Sequence, residues 1–470
     1  MTTFTLQLLH HADFEGNTNA IEDAPELAAL FDYFSQYYID NTLKLSSGDN
    51  WIPSPWYNSQ TEDLNAAVQS VYETYFDLDA GSLSGLVVDG GVIDQAILNV
   101  IGIDASTLGN HDFDAGPDDL ARIIEFAADV GENGTFELSD ISNIGSLFPF
   151  VTANLDFSAS EDLFDSYTDA LNPVTTYGVT AEELASADGI RDALPENGSD
   201  LIAPYATVTI GGEVIGLIGA TTQRLESISS SGDVAVVGAT DDSISVLAAQ
   251  VQARVDELVA QGMNKIILMS HLQTYTNEAA LASKLSGVDI IISGGSDAIF
   301  ADETDVLKEG DVANETMYPL VHTGADGNPI LQVNTDGQYN YLGRLVVEFD
   351  ENGIVIPESV DAAESGAYAT SAETIFALFG ETDPYTAGTS AALVKQLADA
   401  IDSVIGEKLA NVAGYSDVFL DGVRSTVRNE ESNLGNLTAD ANRYFAENYI
   451  NENSADIANA DAPLVSLKNG

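Results

Sequence analysis

A chain of 470 residues with 75 acidic side chains against 15 basic ones, a formal charge of −60, makes DNA, RNA and anionic membrane surfaces poor partners. It has no cysteine, which excludes a disulfide framework and any thiolate metal site. Because 45% of the residues are hydrophobic, the acid excess reads as a solvated skin on packed domains, suited to salty or divalent-rich surroundings, and not as disorder.

The N-terminus, Met1 to Thr3, runs directly into a strand pattern at Phe4 to Leu9, without a basic region, an apolar signal core or a cleavage site. No apolar run approaches the ~20 residues that span a bilayer, so membrane insertion is not expected and export would require a signal outside this sequence. The first strand pattern ends on Asp13 and Glu15, and a helical pattern follows from Ala24 to Tyr38. A second apolar segment, Thr42 to Leu45, leads into Gly48 and Asp49. The insertion after it carries Trp51, Trp56, Tyr57, Tyr72, Tyr75 and Phe76, which reads as a satellite core under a long loop, with a substrate-stacking wall as the alternative.

Ile103 to Leu108 runs into Asn110 and His111, and Pro117 to Val130 has a helical pattern. From Glu137 to Asn197 the chain is rich in Ser, Asp, Asn and Gly and poorly periodic, as expected of surface excursions. Ile244 to Gln261 is helical, Ile266 to Met269 precedes His271, and Val288 to Ile292 precedes Gly294 and Gly295. Asp302 to Gly327 reads as loop. After it a hairpin is predicted from Ile330 to Thr335 and Tyr341 to Phe349, closing on the turn Asp350 to Gly353.

Strands alternating with helices predict a layered α/β domain over residues 1–356. In such sheets ligands bind beyond the carboxyl ends of the strands, so five polar strand ends can converge on one site. Residues 357–390 are small, polar and acidic and read as a linker. A second, smaller α/β domain is expected over 391–470, with helices at Ala391 to Ile405 and Asn433 to Tyr449, and its size is low enough to imply that it is incomplete.

The ordered set His10–Gly16 (HHADFEG), Gly48 Asp49, Gly109–Asp114 (GNHDFD), Ser270 His271, Gly294 Gly295 and Gly337–Leu345 (GQYNYLGRL) resembles the calcineurin-like metallophosphoesterase superfamily, in its 5′-nucleotidase and alkaline-phosphatase branch. Gly422–Asp440 resembles the opening of that branch's C-terminal domain, including Arg424, Arg428, Asn433 and Asn436, which read as a phosphate-steering set or as helix anchors. The resemblance covers nearly the whole chain. It implies a four-layer αββα sandwich with two divalent metal ions at the strand ends. Asp49 matches the carboxylate bridging both ions, Asp13 a ligand of the first, and Asn110 and His271 ligands of the second. His111 and Asp114 match a catalytic pair, and Asn110 and His111 also face substrate.

The residue chemistry fits that implication. A carboxylate on a glycine-led turn reaches two cations that would otherwise repel, and a water between them loses a proton near neutral pH to become the nucleophile. An imidazole such as His111 then supplies the proton that the leaving oxygen needs, its tautomer fixed by Asp114 three residues on. The expected activity is a metal-dependent phosphomonoesterase acting on nucleotides or other small phosphate esters, secreted or periplasmic. A cyclic-nucleotide phosphodiesterase or nucleotide-sugar hydrolase is the alternative chemistry, and the oligomeric state is left open.

Two departures stand against the pattern. Glu15 replaces the usual histidine of the first motif, and Ser296 and Ala298 stand where the family string GGHxH places both of its histidines. Either substitute ligands complete the site, with Asp297, Gln273, His322 and Asp336 as candidates, or the scaffold has decayed into an inactive acidic metal-binding surface protein. An intact site so rich in oxygen donors favours Mn, Mg, Ca or ferrous Fe over Zn. Among the remaining residues, His10 reads as a support behind the ligands, His11 as facing the opposite side of its strand, and Arg344 as a structural ion-pair partner.

Overall fold

The computed structural model describes residues 3–129, 136–184, 200–238, 243–409, 414–422, 426, 430–452 and 464–466. The chain divides into two compact units, Met1–Gly406 and Glu407–Gly470.

The strand Phe4–His11 is apolar and nearly continuously buried because it lies inside a sheet covered on both faces. Its side chains alternate, with Leu6 and Leu8 entering a core between two sheets and Leu9 entering a core under helices. Its sheet places Tyr341–Phe349 antiparallel on one side and Thr42–Ser46 parallel on the other, then continues through Ala105–Thr107, Phe150–Val151 and Ile202–Ala203. The second sheet runs Leu320–Thr323, Pro329–Val333, Ile290–Gly294, Ile266–His271, Glu213–Thr221, Tyr205–Ile210 and Asn172–Pro173.

Helices Ala20–Phe34 and Val92–Ile101 pack outside the first sheet, and Ile244–Ala260 and Tyr275–Ala282 outside the second. Between the sheets, Leu6, Leu8, Leu43 and Leu45 meet Ile267, Met269, Ile290 and Ile292. Each such buried side chain contributes about 1.5–3 kcal/mol, so this seam fixes how the two rows of strand ends face each other. The first unit is thus the expected αββα sandwich. Trp51, Trp56, Tyr57, Tyr72 and Phe76 belong to the core beneath the helices.

Three expectations change. Pro329–Val333 and Tyr341–Phe349 lie in different sheets and form no hairpin, because the chain crosses between sheets at 334–340, with positive φ at Gln338 and Tyr339. The turn Asp350–Gly353 instead joins Tyr341–Phe349 to Val355–Ile356. The segment expected as a linker contributes Gly366–Ala369 to the first sheet and the helix Ala372–Phe379, while Ala391, Val394, Leu397 and Ile401 of the following helix are buried in the core of the first unit. Small apolar residues pair well there although their periodicity is weak. The stretch 137–184 likewise supplies Phe148, Phe150 and Phe157 to the core, and 185–197 lies outside the described residues.

In the second unit the helix Asn433–Glu452 is described. The Asn433 amide brackets a loop, accepting from the Asp421 amide at 2.7 Å and donating to the Phe419 carbonyl at 2.7 Å, and Asn436 donates to Glu431. Both therefore tie local structure. Arg424 and Arg428 lie outside the described residues.

Candidate metal centre

Polar loops leave the carboxyl ends of six strands. The first holds Asp13 and Glu15 at positive φ of 54° and 41°, a conformation that persists only where neighbours impose it. Those neighbours come from three loops: the Asp13 amide donates to the Gly48 carbonyl at 2.9 Å, its carbonyl accepts from Gln338 at 2.6 Å, and its carboxylate accepts from the Gly295 amide at 3.0 Å.

Asp49 follows Gly48, whose φ of +86° suits glycine, and a Cβ at Gly109 would lie 2.1 Å from the Asp49 Oδ1. The carboxylate is therefore seated against bare backbone. Its Oδ1 accepts from the His111 amide at 2.6 Å and its Oδ2 lies 2.9 Å from the His271 Nε2. Burial raises the Asp49 carboxyl, but the imidazoles of His271 and His111 outweigh it and hold it below the usual carboxylate range.

The His271 Nδ1 lies 2.8 Å from the Ser47 carbonyl, an acceptor only, so Nδ1 carries the proton. Nε2 is left buried, facing Asp49 and, at 3.9 Å, Asp13. A lone pair directed at two carboxylates requires a proton or a metal ion between them. In the metal-free protein burial lowers this imidazole, yet Asp49 and Asp13 outweigh burial and raise it to about 10, the same field that would attract a cation.

Two donor groups result, Asp13 with Asp49 and His271, and Glu15 with Asp49 and His111, each with ligand atoms within 4.8 Å of one another. Asp49 belongs to both. Burial is the main cause that lifts Asp13 well above the ordinary range and Glu15 to about 7, with the neighbouring carboxylates adding to it. A divalent ion in each group would relieve this repulsion, so the residues fit metal.

His111 donates from Nδ1 to Asp114 at 2.6 Å, and Asp114 is held in turn by the Ser229 hydroxyl at 2.8 Å. Burial lowers His111, but Asp114, Asp49 and Glu15 outweigh it and raise it to about 9. Its Nε2 lies 3.6 Å from Glu15. The Asn110 side-chain oxygen accepts from Gln273, and Gln273 itself has a φ of +71° beside His271.

All seven predicted site residues therefore gather at one place, with His271 beside Asp13 and Asp49 and with Asn110 bonded to Gln273, which lies next to His271 at Gly295. Of the substitute candidates, Gln273 touches the site through Asn110, while Asp297 acts electrostatically on Glu15. Asp336 binds Asn340 at 2.9 Å, and His322 pairs with Gln332 on its own sheet, in neither donor group. The Ser296 hydroxyl accepts from Asn334, and Ala298 is buried between the sheets. His10 bonds the Tyr318 hydroxyl and His11 the Tyr341 carbonyl, so both support the strand. Arg344 forms hydrogen bonds to Gln7 and the Glu364 carbonyl and lies over the Phe34 ring, in place of the expected ion pair.

One functional residue escaped the sequence reading. Asp112 is buried, and its carboxylate collects the amides of Gly109 at 2.8 Å, Asn50 at 2.9 Å and Asp49 at 3.1 Å. It shapes the two loops that present Asp49 and Asn110. The signal was an extra acid inside GNHDFD, between the two residues already assigned.

Two face-to-face sheets with carboxylates and imidazoles gathered at their facing strand ends define an α/β sandwich whose rim carries two groups of side chains able to hold a metal ion. No protein-family profile matches the chain. It is 30% identical over 353 residues to the trifunctional nucleotide phosphoesterase protein YfkN of Bacillus subtilis, covering 74% of this chain and 20% of that one. It is 28% identical over 346 residues to the 5′-nucleotidase of Mus musculus, covering 73% and 46%. The crystal structure of a 5′-nucleotidase precursor from Thermus thermophilus superposes with a TM-score of 0.60 at 24% identity over 96% of this chain and 68% of that one, a likeness of fold. These relatives support the resemblance to the calcineurin-like metallophosphoesterase superfamily, in its 5′-nucleotidase branch. The chain spans less than half the length of these curated relatives.

Proposed function

We propose that this chain hydrolyses phosphate monoesters, nucleotides or other small phosphate esters, at a centre for two divalent ions formed by Asp13, Glu15, Asp49, Asn110 and His271. The observation that carries this reading is the membership of Asp49 in both donor groups, the arrangement two adjacent cations need. The names of the relatives, a nucleotide phosphoesterase and a 5′-nucleotidase, point to a nucleotide-type substrate.

Ions bound there would polarise a phosphoryl oxygen and acidify water. The chain's own residues do the rest. Asp114 orients His111 so that Nε2, 3.6 Å from Glu15, faces the centre carrying the proton that a departing alkoxide needs, and Ser229 fixes Asp114. Gln273 orients the Asn110 amide beside the centre. With one imidazole and several oxygens in the ligand set, manganese, magnesium, calcium or ferrous iron suits it better than zinc.

The competing reading, a decayed scaffold, draws on Ser296 and Ala298. Against it stands the convergence of every other predicted residue, for which an inactive protein has no chemical need. No helix among the described residues is long and apolar enough to cross a membrane. We place the protein outside the cytoplasm, secreted or periplasmic, in keeping with its acidic charge and the habit of the family it resembles.

The test is to strip the protein with chelator, restore manganese, calcium, magnesium or zinc singly, and follow hydrolysis of AMP and p-nitrophenyl phosphate. Activity restored by an oxygen-preferring ion supports the reading. A folded protein that binds these ions yet cleaves neither ester would establish the decayed scaffold.

A further inference from the structure

The turn that carries Glu15 is held firmly on its N-terminal side, where Asp13 bonds three other loops. On the other side stands Gly16. Its carbonyl accepts from the Ser54 hydroxyl at 2.5 Å, and its α-carbon meets two buried side chains. A Cβ there would lie 2.7 Å from the Asp94 Oδ1, 2.7 Å from the Trp56 Cδ1 and 2.8 Å from its Nε1. Only a bare α-carbon fits.

Asp94 is 1% exposed and Trp56 fully buried. Neither carboxyl oxygen, nor the indole nitrogen, has a partner of ordinary hydrogen-bond geometry, and the residue's own amide and the Trp56 indole N–H are the donors that act on the carboxyl. Behind them Tyr339 packs edge-on against Phe14 with ring centres 5.2 Å apart, and 6.2 Å from Trp56, closing the wall under the loop. Asp94 sits in the first turn of Val92–Ile101, whose cap Gly91 offers no side chain. Capping would account for a carboxyl at this position. It does not account for one sealed under a neighbouring loop, where an unsatisfied polar group costs about 1–3 kcal/mol.

We propose that Asp94 is a positioning residue for Glu15: wedged with Trp56 against the α-carbon of Gly16, it holds the left-handed turn that aims the Glu15 carboxylate at Asp49 and His111. This rests on the metal-centre reading above, and it gives the strained φ of Glu15 a physical cause. Burial pushes the Asp94 carboxyl well above the usual range, so asparagine is its closest mimic in shape and charge.

The experiment is manganese titration of the chelator-stripped protein, reading free Mn²⁺ by electron paramagnetic resonance, for wild type, Asp94→Ala, Asp94→Asn, Glu15→Gln and the Asp94→Ala/Glu15→Gln double variant. Wild type should take up two ions. Asp94→Ala should weaken one of them by about 10-fold to 100-fold, the loss typical when a support behind a ligand is removed, and leave the other. Asp94→Asn should restore it, and the double variant should be no worse than Glu15→Gln alone, because both changes disable the same ligand. Two intact sites in Asp94→Ala, or fully additive losses in the double variant, would overturn the proposal. If wild type binds no manganese, the metal-centre reading fails, and amide hydrogen exchange at Glu15 and Gly16 decides the role of Asp94. Faster exchange in Asp94→Ala supports it and unchanged exchange overturns it.

Discussion

Replacing His111 with alanine separates the two roles that the geometry offers this side chain. Its Nδ1 is committed to Asp114 at 2.6 Å, and Nε2 is left to give a proton to a leaving oxygen or to join Glu15 and Asp49 around an ion. As a proton donor, its loss should lower kcat by about 10²–10⁴, or roughly 3–5 kcal/mol of transition-state stabilisation. The metal-free value near 9 means the ring is protonated at neutral pH, and cations beside Asp49 would bring it down toward the assay range. The assay compares two leaving groups in the metal-restored protein. p-Nitrophenolate departs with little protonation while the ribose alkoxide of AMP needs it, so the loss should be at least about tenfold larger for AMP. Metal content should stay at the wild-type level. Equal losses on both esters with one metal equivalent missing would refute the acid role and make His111 a ligand.

Asp112→Ala leaves the amides of Gly109, Asp49 and Asn50 without their buried acceptor, and should cost about 3 kcal/mol in urea denaturation. An unchanged midpoint would show that these loops hold themselves. Gly109→Ala places a methyl 2.1 Å from the Asp49 Oδ1, so isothermal titration should find Mn²⁺ affinity reduced by about 10-fold to 100-fold in a folded protein. The chelated protein should lose thermal stability steadily from about pH 6.5 to 10. Glu15, Asp112 and Glu278 are raised to about 7, 7 and 8, and His111 and His271 to about 9 and 10, so the folded state binds more protons than the unfolded one throughout this window. Folded-state stability from the two imidazoles is complete below their unfolded pKa and is lost as pH rises through the folded values. His10 and His11, lowered to about 3 and 4, act in the opposite sense, but only below about pH 6.5. A melting temperature that is flat or rising from pH 6.5 to 9 in chelator would contradict the assignment.

The strand ends were legible because a strand buried on both faces has little choice but to be apolar, so Phe4–His11 and Ile266–His271 announce themselves and the first polar residue after each marks the loop. The sixth end was hidden for the same reason. Pro329–Val333 and Tyr341–Phe349 look like partners in sequence, and only the packing of two sheets, with the chain turning at Gln338 and Tyr339, shows that they belong to different ones. Asp112 was passed over because an aspartate accepting backbone amides has the same sequence appearance as any turn former. Which sheet His271 leans on was not legible either, since its anchor is a backbone carbonyl at Ser47, a group every residue possesses.

The centre lies on the seam between the sheets, and its strain and its charge have one explanation there. Asp13, from the first sheet, is held by the Gly295 amide of the second, and His271, from the second, is held by the Ser47 carbonyl of the first. Asp13, Glu15, Asp49, Gln273, Gln338 and Tyr339 all adopt positive φ on loops leaving these strands, each at about 1–3 kcal/mol. The strain brings three carboxylates together in a buried space, which is unfavourable for the protein alone. Cations reverse the sign of that interaction, and an ion at a thousand times its Kd would stabilise the folded state by about 4 kcal/mol. Two rigid cores, one on each side of the seam, supply the remainder by preventing the loops from relaxing apart. The arrangement that makes the metal-free protein tense is therefore the one that keeps Asp49 poised between the two donor groups, and the substitution of Glu15 for a histidine changes the donor set without disturbing it.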